Sequence, residues 1–188
     1  MRIYNLVFDW GRITKGVSQN IYPSDLIQEA AAALGPNTVF HCWIVGCIDA
    51  RNPTNNLTMS NIQGMYGNYL LSLTCKHVGS KFNSSGGISE KGADVAMYDM
   101  VVTNTLFVQV PSIFYIGDGD LTAVMAACLT QSGQQPMLLT HNVVHPTLIV
   151  SGDLLKFEQL PIIIPEKLLR ARAEDKANKA AAAKTQKR

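Results

Sequence analysis

Apolar and polar positions change period along the chain, and the changes mark out its elements. The first apolar run, RIYNLVFD over 2–9, ends in an acid and predicts a buried first strand. Residues 10–16 (WGRITKG) read as a turn-rich loop. Pro23-Ser24-Asp25 opens a helix that runs to Leu34 and is stopped by Gly35-Pro36. TVFHCWIV over 38–45 is β-branched and aromatic, a second strand. Residues 49–56 form a polar loop, and 59–73 predict a helix interrupted by Gly64 and Gly67. A third strand is expected over 74–78, a Gly/Ser/Asn loop over 81–89, and a helix over 90–106. SIFYIG over 112–117 predicts a fourth strand, 121–131 a helix with Gly133 at its end, and 137–140 a fifth strand. A further short strand falls at 147–150, and Ser151-Gly152-Asp153 starts a final short helix.

Strands alternating with helices predict an α/β fold. Its centre is a mainly parallel sheet flanked by helices, a Rossmann-like three-layer arrangement. The composition changes after Pro165. Residues 1–165 read as one domain, and 166–188 as a basic tail rich in Ala and Lys, with only Leu168 and Leu169 to bury. The formal charge of +2 conceals a division. The tail has eight Lys/Arg against three Asp/Glu, whereas the rest has eight against eleven. Such a tail reads either as a disordered solubilising segment or as one that binds nucleic acid or a protein partner. The 47% hydrophobic content excludes a wholly disordered chain. No apolar stretch is long enough for a membrane span, and the amino-terminal segment has no small-residue cleavage site. Four cysteines are too few for a disulfide scaffold. The expectation is a cytoplasmic protein with free thiols and no membrane partner.

The acids carry the candidate chemistry. Asp9 ends the first strand, Asp118 and Asp120 follow the fourth in Gly117-Asp118-Gly119-Asp120, and Asp94 lies near the start of the helix expected over 90–106. Ligands of an open parallel sheet bind beyond the carboxyl ends of its strands. If strands one and four are neighbours, these carboxylates converge on one crevice. Clustered carboxylates raise one another's pKa and repel, so such a crevice calls for a cation, and oxygen-only ligands suit Mg²⁺ or Mn²⁺. Asp99, five residues from Asp94, falls on a different helix face.

These residues carry a family resemblance. LVFD at 6–9, EKGADVAMYDMV at 90–101 and FYIGDGDLTAVMAACLTQSG at 114–133 resemble, in order and spacing, an NYN domain of the LabA-like type, in the PIN-like nuclease superfamily. The resemblance covers roughly 1–160. It implies a PIN-like α/β fold and a Mg²⁺- or Mn²⁺-dependent ribonuclease acting on RNA, single-stranded RNA above all. Asp9, Asp94, Asp118 and Asp120 would form the catalytic and metal site, with Asp9 and Asp118 as the direct ligands. By the same resemblance the chain is a possible homodimer. Two features depart from the family: the interval from Asp94 to Asp99 is one residue shorter than usual, so Asp99 is not carried over, and position 12 differs. Arg12 stands three residues after the first acid, where the family carries Asn. Arg cannot accept a hydrogen bond from a metal-bound water, but it can clamp a phosphate oxygen. Arg12, Lys15 and Lys91 are therefore read as substrate-binding residues. A guanidinium beside the acids could instead take the cation's place, so the alternative is an inactive NYN-like module that binds RNA or protein.

Plainer readings stand beside these. Asp118 and Asp120 also suit a turn and a helix cap. Gly117-Asp118-Gly119-Asp120 also resembles the late acidic motif of haloacid-dehalogenase-type phosphatases, but these need a second acid two residues after the first, and Asp9 is followed by Trp10-Gly11. His41, Cys42, Cys47, Cys75 and His77 lack a CxxC spacing, and buried free cysteine suits them better than zinc. His141 and His145 read as loop residues, and Lys76 and Lys81 as surface charge. Trp10 would either stack a base or pack beneath its loop.

Overall fold

The computed structural model describes residues 1–17, 19–82, 88–116, 129, 133, 134, 136–139, 148–150, 153–155, 162, 163 and, in the tail, 166, 169, 170, 173, 174, 177 and 178. Its elements in chain order are β1 (Arg2–Asp9), α1 (Trp10–Val17), α2 (Pro23–Leu34), β2 (Thr38–Gly46), α3 (Pro53–Gln63), β3 (Leu70–His77), β4 (Gly79–Phe82), β5 (Ile88–Lys91), α4 (Ala93–Thr103), α5 (Leu106–Gln109), β6 (Ser112–Tyr115), β7 (Met137–Leu139), β8 (Leu148–Val150), β9 (Asp153–Leu155) and β10 (Ile162–Ile163). Six strands form one sheet in the order β10-β7-β6-β1-β2-β3, and each neighbouring pair is parallel. This is the α/β arrangement that the alternation predicts.

Side chains alternate across the sheet and bury on both faces. Leu6 and Phe8 of β1, Phe40, Cys42 and Ile44 of β2, and Ile113 and Tyr115 of β6 pack with α1, α2 and α3. Val7, Trp43, Val45 and Phe114 pack with α4 and α5 on the other side. A sheet buried on both faces reads as continuous apolar runs, and so these strands were visible in the sequence. Asn5 of β1 is a buried polar exception, as are Thr38 of β2 and Ser112 of β6, and it is fully enclosed. Its Oδ1 accepts the Trp43 indole N–H at 2.9 Å. Its Nδ2 donates to the carbonyls of Leu106 and Val110, each at 3.1 Å, and to Ser112 Oγ at 3.3 Å. One amide thus ties β1 to β2, α5 and β6.

Several expected elements take another form. Residues 10–17 are helix rather than loop. The Asp9 carboxylate accepts the Arg12 N–H at 3.3 Å, and Trp10, Ile13 and Val17 form one buried face, so packing outweighs the cost of Gly11 and Gly16. The helix expected over 59–73 divides. Asn52 caps α3 by accepting the Thr54 N–H at 2.9 Å, with Pro53 at the first position. The chain turns back at Gly64, and Leu70–His77 pairs with β2 as a strand. Part of the expected loop over 81–89 is the antiparallel hairpin β4–β5, which delays the next helix to Ala93 and puts Lys91 in a strand. Asp153–Leu155, where a short helix was expected to begin, is the strand β9, antiparallel to β8. β10 was not foreseen; two isoleucines extend the sheet beside Leu138 and Leu139 of β7. The helix expected over 121–131 lies outside the described residues except Leu129, which is helical and buried. The described tail residues 166–178 are helical, and Glu166 pairs with Arg170 one turn on.

Candidate functional site at the carboxyl ends of β1 and β6

Strand order decides where a ligand can sit. From β1 the chain steps outward through β2 and β3, then returns to the other side of β1 for β6 and β7. The direction reverses between β1 and β6, and at such a reversal the flanking loops part to leave a crevice. Asp9 closes β1 at that point. The register pairs Phe8 with Tyr115, so Asp9 lies one step beyond the last paired position and beside the chain leaving β6.

Arg12 and Tyr115 share this crevice with Asp9. The guanidinium carbon of Arg12 lies 5.7 Å from the Tyr115 ring centroid. The ring is 3% exposed and held edge-on by Phe8, with centroids 5.8 Å apart. Burial pushes the Tyr115 hydroxyl above its ordinary pKa; the charge and hydrogen bond of Arg12 pull it back, and the Asp9 charge pushes it up again. Both charges therefore act on one phenol. The Nε of Arg12 is buried without a hydrogen-bond partner among the described residues, an arrangement that costs about 1–3 kcal/mol. Tyr115 was missed in the sequence because a tyrosine inside an apolar strand reads as core.

The other candidates are placed unequally. α4 leaves the β4–β5 hairpin and returns the chain through α5 to the start of β6, so it runs antiparallel to the sheet. Its first turn, with Asp94, is therefore on the carboxyl side of the sheet, and Asp94 is exposed there. Asp118 and Asp120 lie outside the described residues, as do His141 and His145. Lys15 is exposed on α1, one turn beyond Arg12. Lys76 pairs with Asp99 at 3.7 Å on the surface, which engages both with each other. Trp10 is 3% exposed and belongs to the core, so its ring is not open for base stacking. Cys42 is fully buried, and burial pushes its thiol well up; the half-buried Cys75 is raised for the same reason. His41 Nδ1 is 2.7 Å from Ser72 Oγ.

Among the described residues no three His, Cys, Asp or Glu side chains gather as a metal group, and no helix is long and apolar enough to cross a membrane. Asp9 and Asp94 are the two acids of the expected set that are described, and both offer the oxygen ligands that Mg²⁺ and Mn²⁺ take. No protein-family profile, curated protein or solved structure matches the chain.

Proposed function

We propose that this protein is a metal-dependent endoribonuclease of the NYN/PIN-like kind. The observation that carries the reading is the place of Asp9, at the carboxyl end of the central strand and beside the end of β6, from which Gly117-Asp118-Gly119-Asp120 follows after one residue. Asp9 and Asp118 would hold Mg²⁺ or Mn²⁺, with Asp94 and Asp120 binding it through water or orienting the attacking water. The ion supplies Lewis acidity and a lowered water pKa at the phosphodiester. Arg12, Lys15 and Lys91 would bind the RNA backbone, and the basic tail would add affinity that falls with salt.

One observation favours a second reading. Arg12 holds a positive charge in the crevice against Tyr115, close enough to act on the phenol together with Asp9. A cation fixed there would replace the metal and leave an RNA- or protein-binding module without nuclease activity.

The test is end-labelled single-stranded RNA incubated with Mn²⁺ or with EDTA, using the native protein, Asp9→Asn and Asp118→Asn. Cleavage that needs the metal and falls at least about 100-fold in either variant is the expected result, since each removes a preorganised charge-stabilising group. Asp9→Asn keeps an oxygen to accept the Arg12 N–H, so the fold survives the substitution. RNA binding without cleavage, unchanged in both variants, would establish the second reading.

A further inference from the structure

A cleft of about 250 Å³ opens beside Asp9 on the β2 side, between the starts of α1 and α3. It is lined by Trp10, Gly11, Thr14, Cys47, Asp49, Asn52 and Asn55. Two of its polar side chains are more than nine-tenths buried, Trp10 at 3% and Asn55 at 7% exposed. Asn55 uses its Nδ2 on the Asp49 carbonyl at 3.1 Å, and its Oδ1 makes no hydrogen bond among the described residues. The Trp10 indole N–H likewise makes none among them, unlike that of Trp43. Neither atom is sealed from solvent; of the described buried groups, Arg12 Nε alone is both sealed and unpartnered. Trp10 and Asn55 therefore keep a donor and an acceptor that no described residue engages and that a ligand in the cleft could use.

The rest of the lining narrows the class. Asn52 spends its Oδ1 on the α3 cap, which leaves its amide donors to the cleft. The Thr14 hydroxyl donates to the Trp10 carbonyl at 2.9 Å, and its lone pairs remain. Among the described residues of the lining only Asp49 is charged, and Arg51 binds both its oxygens at 2.9 and 3.1 Å. Among the described residues the lining offers donors and acceptors, with Asp49 paired and no Lys or Arg, a set that does not suit a phosphate. It suits the edge of a planar heterocycle that carries both kinds of group. Gly11 belongs to the lining, and a Cβ built there would stand 3.4 Å from Asp9 Oδ1, so the cleft lies next to the turn that carries Asp9.

We propose that this cleft is a nucleobase subsite for single-stranded RNA, seating the base next to the phosphate held over Asp9. The assignment rests on the nuclease reading for its connection to Asp9, but base binding is tested without it. The chain has two tryptophans, hence two indole N–H signals in an NMR correlation spectrum of isotope-labelled protein. Trp43 is bonded to Asn5 inside the core and serves as the internal reference. RNA oligonucleotides of single base composition, and the four nucleoside monophosphates, are titrated in EDTA so that nothing is cleaved. The Trp10 signal should shift saturably with at least one RNA while that of Trp43 stays in place. Asn52→Ser keeps a capping oxygen and removes the amide donors; it should weaken that RNA about five- to tenfold, the scale of one hydrogen bond. Trp10→Phe tells the two signals apart, and Trp43→Phe does so equally if the first variant fails to fold.

A Trp10 signal unmoved by any RNA at millimolar concentration overturns the proposal, as does unchanged affinity in Asn52→Ser. Saturation by mononucleotides with no response to RNA also overturns it, since the cleft would then take a free nucleotide. Base binding without Mn²⁺-dependent cleavage would refute the nuclease reading and leave the subsite standing; cleavage without a Trp10 shift would do the reverse.

Discussion

Asn5 offers the sharpest test of what aligns the candidate site. Its side chain is fully buried and pairs in register with Ser112, three positions before the Phe8–Tyr115 pair that brings Asp9 beside β6. Asn5→Leu keeps the branched heavy-atom outline, with bulkier methyl groups, and removes every polar contact. The Leu106 carbonyl still accepts the Val110 N–H at 2.9 Å, so it is not orphaned. The Val110 carbonyl keeps a long bond from Ser112 Oγ at 3.4 Å, and the Trp43 indole N–H is left with nothing. One full orphan and one partial orphan at about 1–3 kcal/mol each give a loss of about 3 kcal/mol. With a urea m-value of about 2 kcal/mol/M, the unfolding midpoint falls by about 1.5 M. Trp43→Phe alone should also destabilise, because it leaves Asn5 Oδ1 buried and unpaired. The double variant removes both partners, and its loss should be smaller than the sum of the singles by at least about 1 kcal/mol. Urea unfolding followed by circular dichroism measures all four corners of the cycle. Strict additivity, or an Asn5→Leu midpoint equal to that of the native protein, would refute the view that this amide fixes the β1–β6 register.

Other outcomes follow from the same geometry. Arg12→Met removes the orphaned Nε, so thermal stability should hold or rise by up to about 1 kcal/mol while RNA affinity falls about tenfold or more, as read by melting and by filter binding. A Mn²⁺-dependent rise in melting temperature that appears only in Arg12→Met would establish Arg12 as the resident cation of a retired site. Cys42 and Tyr115 have pKa values raised by burial, so the stability they lend is complete below their ordinary values of 9.0 and 10.0 and is lost as pH rises beyond them. The urea midpoint should therefore decline above pH 9.0, and Cys42→Val should flatten the first part of that decline. Removal of residues 179–188 takes away Lys179, Lys184, Lys187 and Arg188. It should make the dependence of log affinity for RNA on log salt shallower, by about 0.7 for each phosphate that is no longer neutralised. An unchanged slope would show that the end of the tail does not touch RNA.

Strands buried on both faces can be read from the sequence alone. Arg2–Asp9, Thr38–Gly46, Ser112–Tyr115 and Met137–Leu139 were legible because a strand covered on each side must be apolar throughout. α2 was legible from Pro23 and the Gly35-Pro36 stop, which act locally. Where local signals compete with packing, the contacts made in the fold prevail. Gly11 and Gly16 suggest a loop, but the buried face of Trp10, Ile13 and Val17 makes α1 a helix. Residues 70–73 carry a helical pattern, but β2 offers an edge to pair with and they become strand. The candidate site divides in the same way. Asp9 was legible because an acid ending an apolar run is a local event. Its meeting with Arg12 and Tyr115, and the open indole and amide of Trp10 and Asn55, depend on strand order and on contacts between residues remote in sequence. Periodicity reports which side of an element is buried; it does not report what that side meets, because the partner is chosen by the topology of the whole sheet.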